Sequence, residues 1–195
     1  GVDVGLFLLQ QLSGINAVVY FSSKVFRDAG IASDALASIG VGLVNLLGTL
    51  LAGRVMDRFP RRRLLQGSFL AMGAAMAAMA VSLRSGTATG AASVAGTLVY
   101  ILAFSLGVGP IPGLLVPELN PAASRAGAVA LAMGTHWVSN VFVGQYFLQA
   151  VERLGVAGVY LGFAAFCAAG AAFVQRCVPE TQGMSLEDIE RGFAP

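Results

Sequence analysis

Charged side chains are confined to short segments of this chain, and they leave six long stretches that contain no Asp, Glu, Lys or Arg. These stretches span residues 4–23, 35–53, 64–83, 85–117, 126–151 and 154–175. Each is close to or above the ~20 apolar residues that an α-helix needs to cross the hydrocarbon core of a bilayer. Only 11% of the residues are charged, whereas a soluble domain has about 25%. The sequence therefore predicts a polytopic membrane protein whose function involves the bilayer.

The predicted fold is an all-α bundle of six transmembrane helices, because the stretches are too long for barrel strands and lack alternating apolar and polar residues. Six spans place both ends of the chain on one side of the membrane. That side receives most of the basic residues, namely Arg54, Arg58, Arg61, Arg62, Arg63, Arg125, Arg176 and Arg191. The positive-inside rule then assigns it to the cytoplasm or its equivalent. We expect a half-bundle over residues 1–178 and a cytoplasm-equivalent tail over residues 179–195.

The remaining composition argues against several kinds of site. The net charge of +2 gives no basis for nucleic-acid binding, since the arginines lie in short loops. Cys167 and Cys177 have no paired ligand spacing, so we expect packing residues, no metal and no other cofactor. The chain begins at Gly1 without a charged leader. We therefore expect no signal or transit peptide, and we interpret the chain as a piece of a longer protein.

The fourth stretch, 85–117, is longer than one straight span requires. Its first part, 86–96, is rich in Gly, Ala, Ser and Thr, which predicts an exposed loop that leads into the helix. Residues 107–113 contain two prolines, Pro110 and Pro112, and three glycines, a composition that interrupts a regular helix. Irregular backbone persists in a membrane only where it is buried in protein or lines a wet cavity. Broken helices of this kind point to a transporter site, although a simple proline kink is the alternative.

Amide side chains mark the first span. Gln10, Gln11 and Asn16 lie among apolar residues, where a polar group is costly unless it has a partner. Gln11 and Asn16 are about 140° apart around an ideal helix, so they can face one cavity only if the helix bends at 13–14. Amides both donate and accept hydrogen bonds, as sugar hydroxyls do. The alternative is that these amides bond to neighbouring helices.

The second and fifth spans carry further polar residues. Asn45 is a lone amide in the second span. In the fifth, His136 and Asn140 are four residues apart and share a helix face, and Trp137 and Asn140 are three apart. An aromatic ring beside amides is a common way to bind a sugar, although Trp137 could equally pack or lie at the interface. We expect His136, the single histidine, to form hydrogen bonds rather than to shuttle protons.

Four motifs in this order resemble the sugar porter family of the major facilitator superfamily. Residues 10–16 (QQLSGIN) resemble its seventh-helix signature, and residues 57–62 (DRFPRR) its loop between helices eight and nine. Residues 109–112 (GPIP), with Glu118 and Arg125 after them, are similar to its tenth-helix segment. Residues 179–183 (PETQG) are similar to the motif after helix twelve. The resemblance implies the C-terminal six-helix half of a twelve-helix carrier that works by alternating access.

Details are similar to the plastidic glucose transporter branch of plants and algae. They lie in residues 14–20 (GINAVVY), 25–31 (VFRDAGI) and 133–140 (MGTHWVSN). This resemblance implies an integral membrane protein of the chloroplast inner envelope with a stromal C-terminal tail. The plasma membrane is the alternative location.

The resemblance also implies roles for individual residues. The implied sugar ligands are Gln10, Gln11, Asn16, Asn45, Trp137 and Asn140. The implied gate and latch residues are Pro110, Pro112, Arg61, Arg62, Glu118, Arg125 and Glu180. The charged members would form a network that stabilises the outward-open state. Three positions depart from the family pattern: Gly113 replaces a frequent Trp, Ser105 takes a usually acidic or polar place, and Pro60 replaces a loop glycine.

These features together predict transport of a hexose, with glucose first among them, and no enzymatic activity. The expected partners are a monosaccharide, the lipid bilayer and the missing N-terminal half of the carrier. A proton-coupled symporter of another membrane and a non-transporting sugar sensor are the alternatives. An intramembrane enzyme would need a nucleophile–base pair or a metal cluster within the spans, and there we find only His136 without a carboxylate.

Overall fold

A computed structural model describes residues 1–28 and 34–182, and within these residues it is entirely helical. The predicted all-α fold is confirmed. The helices are α1 (Val2–Leu12), α2 (Ile15–Asp28), α3 (Asp34–Met56), α4 (Arg61–Ser85), α5 (Gly90–Leu106), α6 (Ile111–Leu119) and α7 (Ala122–Cys177). The C-terminal part of the predicted tail, 183–195, lies outside the described residues.

Five helical stretches of the described chain are long and apolar enough to cross a membrane. They are Val2–Ser22, Ser38–Met56, Arg61–Ser85, Gly90–Leu119 and Ala122–Cys177. The first combines α1 with most of α2, and the fourth combines α5 with α6. Because discontinuous helices can still form one span, this pattern agrees with the lengths predicted from the sequence.

The last helix, α7, makes two passes rather than one. Its 56 residues would extend about 84 Å if straight, far beyond a hydrocarbon core of about 30 Å. Gly155 interrupts it with φ 71° and ψ 164°. The rings of Phe147 and Phe163 stack with centroids 6.2 Å apart, whereas 16 residues of straight helix would separate them by about 24 Å. The chain therefore folds back at Gly155, and the six predicted spans are present.

The core lies where α4 packs against α5 and α7. Phe69, Met72, Met76 and Tyr100 are fully buried there. A Cβ built on Gly170 would lie 2.7 Å from the Phe69 ring, so only glycine allows this close approach. In lipid, helices gain nothing by removing apolar surface from water. Their association is driven instead by close packing, which small residues permit.

The predicted loop over residues 86–96 is wrong for its second part, because α5 begins at Gly90. Thr89 caps this helix, since its Oγ1 accepts a hydrogen bond from the Ala92 amide at 3.2 Å. A Cβ on Gly96 would lie 2.5 Å from Met79 Cγ. The small residues that suggested a loop instead allow α5 to approach α4.

Several contacts bring four segments of the chain together at one end of the bundle. Arg61 pairs with Glu118, and Gln182 Nε2 donates to the Asp57 carbonyl at 3.3 Å. Asn120 Nδ2 donates to Asp3 Oδ2 at 3.0 Å. The start of α1, the α3–α4 loop, the α6–α7 loop and residues 180–182 therefore lie together, as six passes require. The assignment of this end to the cytoplasm or stroma stays a prediction.

Candidate functional site

The first span is interrupted where the sequence suggested that it could bend. Helix α1 ends at Leu12, α2 begins at Ile15, and Gly14 has φ 91°. This is the left-handed region, which glycine adopts at little cost. The break brings Asn16 back to the preceding helix, and Asn16 Nδ2 donates to Gln11 Oε1 at 2.5 Å. Two amides that an ideal helix would separate therefore meet.

Both glutamines of the first span also contact the fifth span. Gln11 Nε2 and His136 Nδ1 are 2.9 Å apart, and Gln10 Oε1 is 3.2 Å from the same nitrogen. Gln11 Nε2 lies 3.4 Å from Gln10 Oε1. We call Gln10, Gln11, Asn16 and His136 the amide cluster. The sequence predicts hydrogen bonds for His136 but not its position beside these amides, because residues 126 positions apart show no local signal of contact.

The fourth span is interrupted between Leu106 and Ile111, so the irregular segment predicted for 107–113 is confirmed for 107–110, whereas 111–113 form the first turn of α6. In a continuous helix the Val108 carbonyl would accept from residue 112, but Pro112 has no N–H. Gln10 Nε2 donates to this carbonyl instead, at 2.6 Å, and lies 3.2 Å from the Gly109 carbonyl. Pro110 precedes α6 and Pro112 lies in its first turn. Their gating role stays a prediction.

The other predicted sugar ligands lie on α3 and on the first part of α7. Trp137 is 63% exposed, and its ring meets His136 edge-on with centroids 5.1 Å apart. Asn140 is half-buried, one turn after His136. Asn45 is exposed and accepts a hydrogen bond from Ser105 Oγ at 2.8 Å. The structure thus joins Gln10, Gln11 and Asn16 directly, places Trp137 beside them through His136, and pairs Asn45 with Ser105.

This arrangement suits a neutral polyhydroxylated ligand. Amide and imidazole groups can donate and accept hydrogen bonds, and none of the amide cluster carries a carboxylate. The exposed Trp137 ring offers an apolar surface on which a sugar ring could stack. The chemistry therefore favours binding through hydrogen bonds and stacking.

An ion pair between Arg61 and Glu118 joins the start of α4 to the end of α6. Their side chains are 24% and 22% exposed, so the pair is largely shielded from water. Thr181 Oγ1 donates to Glu118 Oε2 at 3.0 Å. The segment after α7 therefore contacts the same carboxylate, and three parts of the chain meet at one point.

Glu180 binds the helix rather than the arginine side chains expected in a charge network. Its Oε1 accepts from the Arg61 amide at 2.9 Å, and its Oε2 accepts from the Arg62 amide at 3.2 Å. Pro60, the N-cap residue, offers no side-chain hydrogen bond. The first amides of a helix need acceptors and favour negative charge. Glu180 therefore caps α4, although it lies 119 residues after Arg61 and 118 after Arg62 in the sequence.

Arg62 and Arg125 also bind carbonyl oxygens. Arg62 Nη2 donates to the Gln175 carbonyl, and Arg125 Nε donates to the Asn120 carbonyl at 3.3 Å. The resemblance implies a charge network that contains Arg125, but the hydrogen bond of its side chain in the described structure is to the α6–α7 turn. That turn leaves the Asn120 carbonyl free, because α6 ends at Leu119 and α7 begins at Ala122.

Six helical passes, two interrupted spans and an uncharged polar cluster between them are features of a membrane carrier. The family model described as "Sugar (and other) transporter" matches residues 2–193. The chain therefore belongs to this family, and the resemblance drawn from its motifs is confirmed.

Relatives with known names agree. Plastidic glucose transporter 4 of Arabidopsis thaliana is 47% identical over 192 residues, which are 97% of this chain and 35% of that protein. Probable plastidic glucose transporter 2 of the same plant is 50% identical over 188 residues, which are 95% of this chain and 38% of that protein. A facilitated trehalose transporter, Tret1 of Aedes aegypti, is 38% identical and matched over 97% of this chain and 24% of its own length. The chain thus spans little more than a third of the plant proteins.

Solved structures of the xylose transporter XylE from E. coli have the same fold. The inward-open form matches with a TM-score of 0.87 and 30% identity, over 99% of this chain and 41% of XylE. A proton:xylose symporter XylE structure bound to 6-bromo-6-deoxy-D-glucose matches with a TM-score of 0.89 and 30% identity, over 99% and 42%. The protein is an integral membrane protein of the major facilitator fold, and this chain corresponds to part of it.

Proposed function

We propose that the complete carrier transports a hexose, most directly glucose, by alternating access around a site to which this chain contributes one wall. The observation that carries the proposal is the amide cluster, held between two interrupted spans. Discontinuous helices form midplane substrate sites in transporters. The names of the plant relatives as glucose transporters, and the glucose derivative bound to XylE, support a hexose as the substrate.

The proposed ligands of the sugar are the residues implied by the family resemblance. They are Gln10, Gln11, Asn16, Asn45, Trp137 and Asn140. Gln11 and Asn16 support this assignment. Gln11 contacts Asn16 and His136, Asn16 contacts Gln11, and an amide can donate and accept further hydrogen bonds. Trp137 supports it through its exposed ring beside His136.

The missing N-terminal half would cover the exposed side of these residues. Large apolar side chains are exposed along α3 and along the first part of α7, among them Leu43, Leu47, Leu50, Val138 and Val141. Lipid or another helical half would shield such faces. Because the chain covers 35% to 38% of its plant relatives, we assign part of this surface to the other half of the same carrier and the rest to lipid.

The proposed location is the plastid envelope, and the proposed activity is not enzymatic. The location follows the names of the plant relatives. Sugar binding by amides and a tryptophan needs no covalent step and no cofactor. Proton coupling is the second candidate, since XylE is described as a proton:xylose symporter.

Uptake by the full-length carrier in liposomes tests the proposal. We expect saturable uptake of D-glucose, with L-glucose as the matched control that has the same composition but the wrong stereochemistry. An imposed proton gradient should leave the final accumulation ratio near unity if the carrier is a uniporter. Accumulation that follows the gradient would establish the symporter instead, and equal uptake of both enantiomers would contradict a specific sugar site.

A further inference from the structure

We propose that Tyr100 is a positioning residue of the sugar site, because its hydroxyl stabilises the bend that brings Gln11 and Asn16 together. Tyr100 lies on α5, in a different span from these amides, and its side chain is fully buried. The inference rests on the proposed function for its transport measurements. Its structural part can be tested without any sugar.

The Ser13–Gly14 break leaves a backbone carbonyl that Tyr100 satisfies. The hydrogen bonds Ser13 N→Leu9 O (3.0 Å) and Gly14 N→Gln11 O (3.1 Å) close α1, and Val18 N→Gly14 O (2.9 Å) opens α2. In a continuous helix the Ser13 carbonyl would accept from the amide four residues later. Here it accepts from the Tyr100 hydroxyl at 2.8 Å. Within a bilayer such a carbonyl needs a protein partner, because water is absent.

The same hydroxyl is connected to the start of the amide cluster. Tyr100 Oη lies 3.4 Å from Ser13 Oγ, which donates to the Gln10 carbonyl at 2.6 Å. The bend then determines the position of Asn16, whose amide reaches Gln11 only because the helix is interrupted. Without the Tyr100 hydroxyl, the straighter form of the first span would become relatively more stable.

The two interrupted spans are held together reciprocally. The fourth span supplies Tyr100 to the free carbonyl of the first span, and the first span supplies Gln10 to the Val108 carbonyl left free by Pro112. Ser68 of α4 supports the second break, because its Oγ accepts from the Val108 amide at 3.0 Å and donates to the Ala103 carbonyl at 2.5 Å. Loosening one break should therefore loosen the other.

Tyr160 provides a matched control. It is 8% exposed on the last pass of α7. Within the described residues its hydroxyl makes no hydrogen bond of the kind that Tyr100 makes. Tyr160→Phe therefore removes the hydroxyl of a buried tyrosine that does not support a broken helix, and Tyr100→Phe removes one that does.

The experiment uses the full-length carrier with Tyr100→Phe or Tyr160→Phe. We expect Tyr100→Phe to raise the Kd and the KM for glucose by about three- to tenfold, because a smaller fraction of the carrier has the bent span. The kcat should stay within about twofold, since saturating sugar selects the bent form again. In the absence of sugar, hydrogen–deuterium exchange of amides 12–17 should be faster in Tyr100→Phe than in the wild type. Tyr160→Phe should change none of these quantities.

Several results would overturn the proposal. One is that Tyr100→Phe changes neither the Kd for glucose nor the exchange rate of amides 12–17. Another is that Tyr100→Phe lowers the yield of folded carrier while the folded fraction binds glucose with the wild-type Kd. If wild-type carrier does not bind hexose, the proposed function fails, while the exchange measurement still decides the role of Tyr100. Ser68→Ala offers a second approach: faster exchange in 107–113 should be accompanied by faster exchange in 12–17, and a change confined to 107–113 would contradict the coupling.

Discussion

At the residue scale, Gln11 is the residue that contacts all three other members of the amide cluster. It contacts His136 and Asn16 and lies beside Gln10. We expect Gln11→Ala to raise the half-saturating glucose concentration by roughly five- to thirtyfold, because one or two hydrogen bonds of about 1 kcal/mol each are lost. Uptake kinetics of the full-length carrier measure this. Gln66→Ala, on α4, is the control and should behave as wild type; an unchanged Gln11→Ala would remove this residue from the site.

Substitutions at two glycines distinguish the effect of backbone strain from the effect of steric crowding. Gly14 (φ 91°) and Gly155 (φ 71°) both have positive φ, and a ψ of 164° places Gly155 in a region that essentially only glycine adopts. A Cβ on Gly14 would lie 2.4 Å from the Phe163 ring, whereas one on Gly155 would meet nothing within 4 Å. We expect Gly155→Ala to lower the free energy of unfolding by about 1–3 kcal/mol, because alanine rarely adopts this backbone conformation. Gly14→Ala should lower the free energy of unfolding by about 1–3 kcal/mol more than Gly155→Ala, because the added methyl group overpacks against Phe163.

Thermal unfolding of the purified variants tests the order of these two effects. Gly14→Ala should have the lower midpoint. Equal midpoints would show that the Phe163 ring moves aside without cost and that only the backbone conformation matters at Gly14.

At the scale of an element, Pro112 determines where the fourth span breaks. An alanine at this position would supply the missing N–H to the Val108 carbonyl, in competition with Gln10. A proline in a helix interior costs about 3 kcal/mol, so Pro112→Ala should favour a continuous helix. We expect transport to slow by at least about tenfold, equivalent to about 1.4 kcal/mol of barrier, while the Kd for glucose changes little.

Initial uptake rates and equilibrium binding, measured on the same preparation, check this expectation. Pro121→Ala is the control, because Pro121 is exposed at the N-cap of α7, outside the break. A Pro112→Ala carrier that transports at the normal rate would argue that the break has no gating role.

At the scale of the whole molecule, the ion pair of Arg61 with Glu118 should influence the balance between the carrier's two open states. We expect Glu118→Gln to favour the state open to the arginine side and to slow net uptake. A pair that keeps some contact with water contributes about 0.2–1 kcal/mol, so a change in rate of roughly 1.4- to fivefold is expected. Sugar binding should survive, because Glu118 lies at the end of α6 and not among the amides.

Ligand affinity and transport rate, measured on one Glu118→Gln preparation, distinguish these roles. Glu152→Gln, exposed on α7, is the charge-matched control. If Glu118→Gln folds but no longer binds glucose, Glu118 belongs to the site instead of a latch.

The sequence by itself determined the spans and the places where they break. A stretch of about 20 residues without charge predicts a span from its own composition alone, because a helix in lipid forms all its backbone hydrogen bonds within itself. Likewise, Pro112 removes an N–H wherever the chain carries it, and Gly14 permits a conformation that other residues resist. The loop predicted for 86–96 from its small residues is wrong from Gly90 onward, because in the folded chain these small residues allow α5 to pack closely on α4.

Only the tertiary structure decided which polar groups meet. His136 joins Gln10 and Gln11, Glu180 caps α4 through backbone amides, and Arg125 donates to the Asn120 carbonyl. Each of these partners depends on which backbone groups the folded helices leave free and on which side chains then lie within about 3 Å. The partners His136 and Gln10 are 126 positions apart and Glu180 and Arg61 are 119 apart, so the sequence carries no local pattern for either contact. The sequence therefore predicts that polar groups in lipid need partners, but packing selects the partners.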